Sequence, residues 1–128
     1  MGLIVASVLI IDDDMAVREL LRQILEDDGH EVFEASDGLE GVRAFQKRPT
    51  DLIFTDMLMP EKDGVEVIME LRDIAPSARI VAISGGGRGL DAHFNLRVAE
   101  DFGALVTLAK PFTRGEVLDA VQTLLDTP

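Results

Sequence analysis

Apolar residues recur along this chain in two alternating rhythms. Val5 to Ile11 is almost unbroken, as a parallel strand buried on both faces should be. From there the period lengthens: Val17, Leu20, Leu21, Ile24 and Leu25 fall at helical spacing, and Gly29 follows as a helix-ending residue. Glu31 to Ala35 is a short mixed strand, its Val32 and Phe33 flanked by acids, which points to a sheet edge. Ser36-Asp37-Gly38 opens a second helix with Leu39, Val42 and Phe45 inward, and Pro49 closes it. Asp51 to Asp56 reads as a third strand ending on a carboxylate, with Pro60 blocking continuation. Gly64 to Ile74 is a third helix with Val67, Ile68, Leu71 and Ile74 on one face, stopped by Pro76, and Arg79 to Ser84 is a fourth strand. Gly85-Gly86-Gly87-Arg88-Gly89 then leads into a helix carrying Leu90, Phe94, Val98 and Phe102. Ala104 to Ala109 is a fifth strand ending at Lys110-Pro111. The last helix opens on the capping box Thr113-Arg114-Gly115-Glu116 and buries Val117, Leu118, Val121, Leu124 and Leu125.

Five strands alternate with five helices, without linker, repeat or low-complexity tract. That order implies right-handed crossovers and a parallel sheet covered on both sides, a doubly wound α/β fold. At 128 residues a single domain over 1–128 is expected, with no output domain attached.

Charge narrows the classes of partner. Acids outnumber bases 24 to 12, and a net charge of −12 repels phosphate backbones and anionic lipid, so neither nucleic acid nor membrane is an expected partner. The absence of cysteine excludes disulfides, thiolate metal sites and thiol nucleophiles. Leu3 to Ile11 lacks the basic start of a signal peptide and runs into Asp12-Asp13-Asp14, and Ala6 stands where myristoylation needs a hydroxyl. A cytoplasmic protein is expected. His30 and His93 are isolated and read as surface or helix residues rather than metal ligands.

The strand ends share a chemistry. The first ends on Asp12 and Asp13, the third on Asp56, the fourth on Ser84 and the fifth on Lys110. In a doubly wound sheet the carboxyl ends face one crevice. Each residue alone has a plain explanation: Asp14 is the N-cap of the first helix, Ser84 could cap its loop, and Lys110 could be a solvated lysine. Capping does not account for all of them together. Converging carboxylates repel one another unless a cation sits between them, and hard oxygen donors suit Mg2+, or Mn2+ in its place. A carboxylate nucleophile, a divalent cation and a lysine are the parts needed to move a phosphoryl group onto an aspartate, with Asp56 attacking in line.

On these residues the chain resembles the response-regulator receiver domains of two-component signalling. The resemblance rests on Val8-Leu9-Ile10-Ile11-Asp12-Asp13-Asp14, on Asp56-Met57-Leu58-Met59-Pro60 with Asp63-Gly64, on Ser84 and on Lys110-Pro111-Phe112, and it covers essentially the whole chain. It implies a flavodoxin-like sheet in the order 2-1-3-4-5 with Asp56 as phosphoacceptor. Asp13, Asp56 and the Leu58 carbonyl would be direct Mg2+ ligands, with Asp12 acting through water. Lys110, before a cis proline bond, would meet the phosphoryl group, and Ser84 would report its arrival. Such a domain is not a conventional enzyme but catalyses its own phosphorylation and dephosphorylation. The implied partners are a sensor histidine kinase or histidine phosphotransfer protein and a downstream protein target, met by a monomer or weak homodimer.

Three features depart from that pattern. Thr107 stands where receivers usually carry the aromatic half of the switch. The stretch from Ser84 to Lys110 is several residues longer than usual, with the excess around Gly85 to Ala92, and its glycine-rich Gly85–Gly89 loop is expected to order on phosphorylation. Leu58 and Gly86 place no polar group near an attacking water, which predicts a long-lived phosphoaspartate. The rival enzyme is a haloacid-dehalogenase-like phosphatase using Asp12, but Ala16 replaces its expected Thr or Val and no acid pair follows Lys110. A nucleotide-binding module rests only on Gly87-Arg88-Gly89-Leu90-Asp91-Ala92, placed after the fourth strand instead of the first. A docking platform that is never phosphorylated would have little need for five clustered polar residues.

Overall fold

The computed structural model describes residues 5–57, 64–84 and 104–126. Strands β1 (Ser7–Ile11), β2 (Glu31–Ala35), β3 (Leu52–Asp56), β4 (Arg79–Ser84) and β5 (Val106–Ala109) pair in parallel as one sheet, in the order β2-β1-β3-β4-β5. Helices α1 (Met15–Asp27), α2 (Gly38–Lys47), α3 (Gly64–Ile74) and α4 (Arg114–Asp126) complete the doubly wound, flavodoxin-like arrangement. The described residues contain four helices. The helix expected over Leu90–Phe102 lies outside them, as do Leu58, Gly86, the Gly85–Gly89 loop and His93.

Strand alternation divides the core into two layers, because successive side chains point to opposite faces of a sheet. Val8, Ile10, Leu52, Phe54, Val81 and Ile83 pack with Leu21 and Leu25 of α1 and Val117, Val121 and Leu124 of α4. Leu9, Ile11, Ile53, Ile80 and Ala82 pack on the other face with Val42 and Phe45 of α2 and Val67, Ile68 and Leu71 of α3. Burial on both faces explains the continuous apolar runs of β1, β3 and β4.

Helix stripes sit slightly rotated from the expected ones. Leu20, Leu39 and Ile74 are exposed, Leu118 and Leu125 are only partly buried, and Gly41 and Ala120 are inside. Small residues let α2 and α4 lie close to the sheet, a role that hydropathy counts miss.

Helix termini follow the local chemistry. Asp14 caps α1 by accepting the Ala16 N–H at 2.9 Å, and Asp37 caps α2 by accepting that of Glu40 at 2.8 Å. At the start of α4, the Glu116 carboxylate accepts the Thr113 N–H at 2.9 Å while the Thr113 hydroxyl accepts the Glu116 N–H at 3.1 Å. α1 ends in a Schellman turn: Gly29, at φ 92°, donates to the Glu26 carbonyl, and His30 donates to that of Leu25.

His30 corrects an expectation. It is neither on the surface nor in a helix but is buried directly after that turn. Its Nδ1 accepts the buried Ala6 N–H at 3.0 Å and its Nε2 lies 3.1 Å from Asp28 Oδ2, so the ring ties the start of β1 to the end of α1.

Candidate functional site

The parallel ladders run one residue past the strand ends, and this fixes the rim of the sheet. The Asp12 N–H donates to the Ala35 carbonyl at 3.2 Å, the Met57 N–H to Ile83 at 2.9 Å and the Lys110 N–H to Ser84 at 2.9 Å. β1, β3, β4 and β5 therefore bring Asp12, Asp56, Ser84 and Lys110 to the same edge of the sheet, as expected from their places at strand ends. Ser84 lies one residue beyond Ile83, the register partner of Asp56.

Asp12, Asp56 and Ser84 are all buried, at 0, 3 and 1% exposure, while Asp13 is exposed. One carboxylate oxygen from each of Asp12, Asp13 and Asp56 can be chosen so that all three lie within 4.8 Å of one another. In an octahedral Mg2+ shell, donors at about 2.1 Å stand roughly 3.0 Å (adjacent) to 4.2 Å (opposite) apart. The three carboxylates come close to that range, and their hard oxygen donors fit a small hard cation.

A lysine stands against this cluster. Lys110 Nζ lies 3.1 Å from Asp12 Oδ2 and 3.7 Å from Asp56 Oδ2, and the Lys110–Pro111 peptide is cis. Asp12 Oδ1 accepts the Asp14 N–H at 2.8 Å, whereas its buried Oδ2 has the ammonium nearby but receives no well-formed hydrogen bond. Burial pushes the Asp12 carboxyl above the ordinary aspartate range; the Asp14 N–H and the Lys110 ammonium pull it back only in part. A group in that condition gains from a second positive charge.

Glycine is required where α3 meets the acceptor strand. A Cβ on Gly64 would stand 2.6 Å from the Asp56 carbonyl oxygen and 2.6 Å from Met57 Cα, and the Gly64 N–H donates to the Met57 carbonyl at 3.1 Å. The helix start is thus pressed against the backbone that carries Asp56.

Of the sequence-predicted site residues, Leu58 lies outside the described ones and the others share one rim. Thr107 is half-buried in β5, paired in register with Ala82. The sequence reading missed Arg18 of α1, whose Nη1 donates to the Asp12 carbonyl at 2.7 Å and whose Nε donates to Glu34 Oε1 on β2 at 3.1 Å. Its signal was a basic residue one helical turn past the acidic triplet, facing an acid on the neighbouring strand.

Comparisons with known proteins agree with this geometry. A family model described as the response regulator receiver domain matches residues 8–122. Sporulation initiation phosphotransferase F of Bacillus subtilis is 32% identical over 119 residues, covering 93% of each chain. Chemotaxis protein CheY of Halobacterium salinarum is also 32% identical over 119 residues, covering 93% of this chain and 96% of that one. Among solved structures, a response regulator receiver domain protein from Clostridium thermocellum superposes with a TM-score of 0.85 at 32% identity, covering 94% of both chains. The dehalogenase-like alternative is not favoured, since the receiver-domain match runs over residues 8–122 and the relatives cover nearly the whole chain.

Proposed function

Because the chain belongs to the response regulator receiver family of two-component signalling, we propose that it takes a phosphoryl group from a phosphohistidine onto Asp56 and in doing so alters a protein-binding surface. The donor is a sensor histidine kinase or a histidine phosphotransfer protein. The observation that supports this most directly is the convergence of three carboxylates within 4.8 Å, with the Lys110 ammonium 3.7 Å from Asp56.

Asp12, Asp13 and Asp56 would hold Mg2+, together with the Leu58 carbonyl. When bound there, the cation supplies positive charge to the phosphoryl oxygens. Asp56 supplies the nucleophilic oxygen: its bond to phosphorus forms as the bond from phosphorus to the histidine nitrogen breaks, and the electron pair leaves with the imidazole. Lys110 neutralises charge on the transferred group from the β5 side. Burial of Asp56 keeps bulk water from the acyl phosphate. Ser84, buried at the end of β4, offers a hydroxyl to a phosphoryl oxygen and carries the change toward β5 and α4.

The whole chain acts as a receiver domain, as a monomer or weak homodimer in the cytoplasm. No described helix is long and apolar enough to cross a membrane. Its output is exerted on another protein through the surface of β5, α4 and the helix expected before them.

Incubation with Mg2+ and acetyl phosphate, followed by peptide mapping, tests the reading. Label on Asp56 that disappears in Asp56→Asn is the expected result; label elsewhere overturns it.

A further inference from the structure

The polar atoms of Asp12 have separate fastenings. Its N–H goes to the Ala35 carbonyl, its Oδ1 takes the Asp14 N–H, and its carbonyl takes Arg18 Nη1 at 2.7 Å. The Asp12 carbonyl belongs to the peptide plane that also contains the Asp13 nitrogen. Whatever holds that carbonyl therefore sets the direction in which Asp13 leaves β1, and Asp13 is the exposed member of the acidic group.

Arg18 is itself held. Its side chain is 15% exposed and donates through Nε to Glu34 Oε1, and the other Glu34 oxygen takes Arg22 Nε. Arg22 in turn reaches Glu26 at 3.0 Å and the Val32 carbonyl at 3.3 Å. The planar fork of arginine lets one side chain serve Glu34 and the Asp12 carbonyl at fixed angles, which a lysine ammonium does not reproduce.

We infer that Arg18, oriented by Glu34, is a positioning residue for the divalent-cation site: it fixes the Asp12–Asp13 peptide and so preorganises Asp13 as a ligand. This rests on the cation-binding reading above and extends it to a residue that touches neither the cation nor the phosphoryl group. Two effects of Arg18 oppose each other. As a positive charge beside three acids it disfavours a cation; as a clamp it favours one. A fixed ligand orientation outweighs a partly screened charge when outer contacts hold the first ones in place.

The sign of the affinity change decides between them. With neither Trp nor Tyr in the chain, strong intrinsic fluorescence is lacking, so Mg2+ binding is read by titration calorimetry and Mn2+ binding by water-proton relaxation. Arg18→Gln is expected to weaken both by about tenfold, the lower end of what outer-shell partners contribute. Arg18→Lys, which keeps the charge and loses the fork, should weaken them nearly as much. Thermal unfolding in chelator monitors folding, and Glu34→Gln serves as a second route to the same loss without touching Arg18. Tighter binding by Arg18→Gln with unchanged binding by Arg18→Lys would make the residue a charge only and overturn the inference. Equal affinities in all variants would do so too. Failure of the unaltered protein to bind either cation would instead overturn the reading on which the inference rests.

Discussion

Lys110 is paired more closely with Asp12 than with Asp56, at 3.1 Å against 3.7 Å. Its ammonium offsets the buried acid that is not the proposed acceptor while standing within reach of the one that is. Replacing Lys110 by Ala leaves Asp12 without its counter-charge and the transferred group without a cation from β5. Labelling by acetyl phosphate should slow by about 100-fold, as when a charge-stabilising donor is removed from a transition state. Single-turnover labelling at saturating Mg2+ checks this.

Asp12→Asn should raise the thermal midpoint at neutral pH in the presence of a chelator. The folded state lifts the Asp12 carboxyl above its ordinary range by burying it, so it binds that proton more tightly than the unfolded chain does. The resulting stability is present below the unfolded value and is lost as pH rises through the raised folded one. The variant escapes that loss, and its advantage should shrink as the pH is lowered through the same window. It should also gain less stability from added Mg2+, since binding to the folded state is what supplies that gain. Melting curves across pH, with and without Mg2+, measure both.

Gly64→Ala should cost about 1–3 kcal/mol, the usual range for overpacking against a part of the structure that cannot yield. The Cβ would meet the Asp56 carbonyl oxygen and Met57 Cα, backbone atoms that cannot swing aside, as well as the more yielding Met57 sulfur. Urea unfolding gives the stability, and labelling of Asp56 should slow even where the variant is fully folded.

His30→Leu keeps the bulk but leaves the buried Ala6 N–H without its acceptor. The expected loss is about 1–3 kcal/mol, the penalty for an unsatisfied buried donor. Metal affinity and labelling should stay unchanged, because the ring lies at the opposite end of β1 from Asp12.

Much of this organisation is legible in the residues themselves. The limits of β4 and α3 follow from Pro76, Ser84 and the runs between them, and the sheet order follows once the family resemblance is admitted. β5 begins at Val106 instead of Ala104: the Leu105 N–H already donates to Ile80, yet the regular ladder starts one residue later. Periodicity finds a helical stripe but not its margins, which is why Leu20, Leu39 and Ile74 point outward. The site showed itself through strand ends because topology gathers them automatically. His30 and Arg18 were hidden for a common reason. Each acts through a side-chain hydrogen bond to a backbone group flanking β1, and such a bond has no motif.

The Arg22 contact at the sheet margin carries one more implication. In β2, Glu31 and Ala35 turn their backbone groups toward β1, so alternation turns those of Val32 outward, where the carbonyl accepts from Arg22. A bare strand margin is a template on which another chain can crystallise into ribbon. Here a charged fork already occupies the hydrogen-bonding seat, flanked by acids on the same strand. The β2 margin is thereby a poorer template for pairing with another chain.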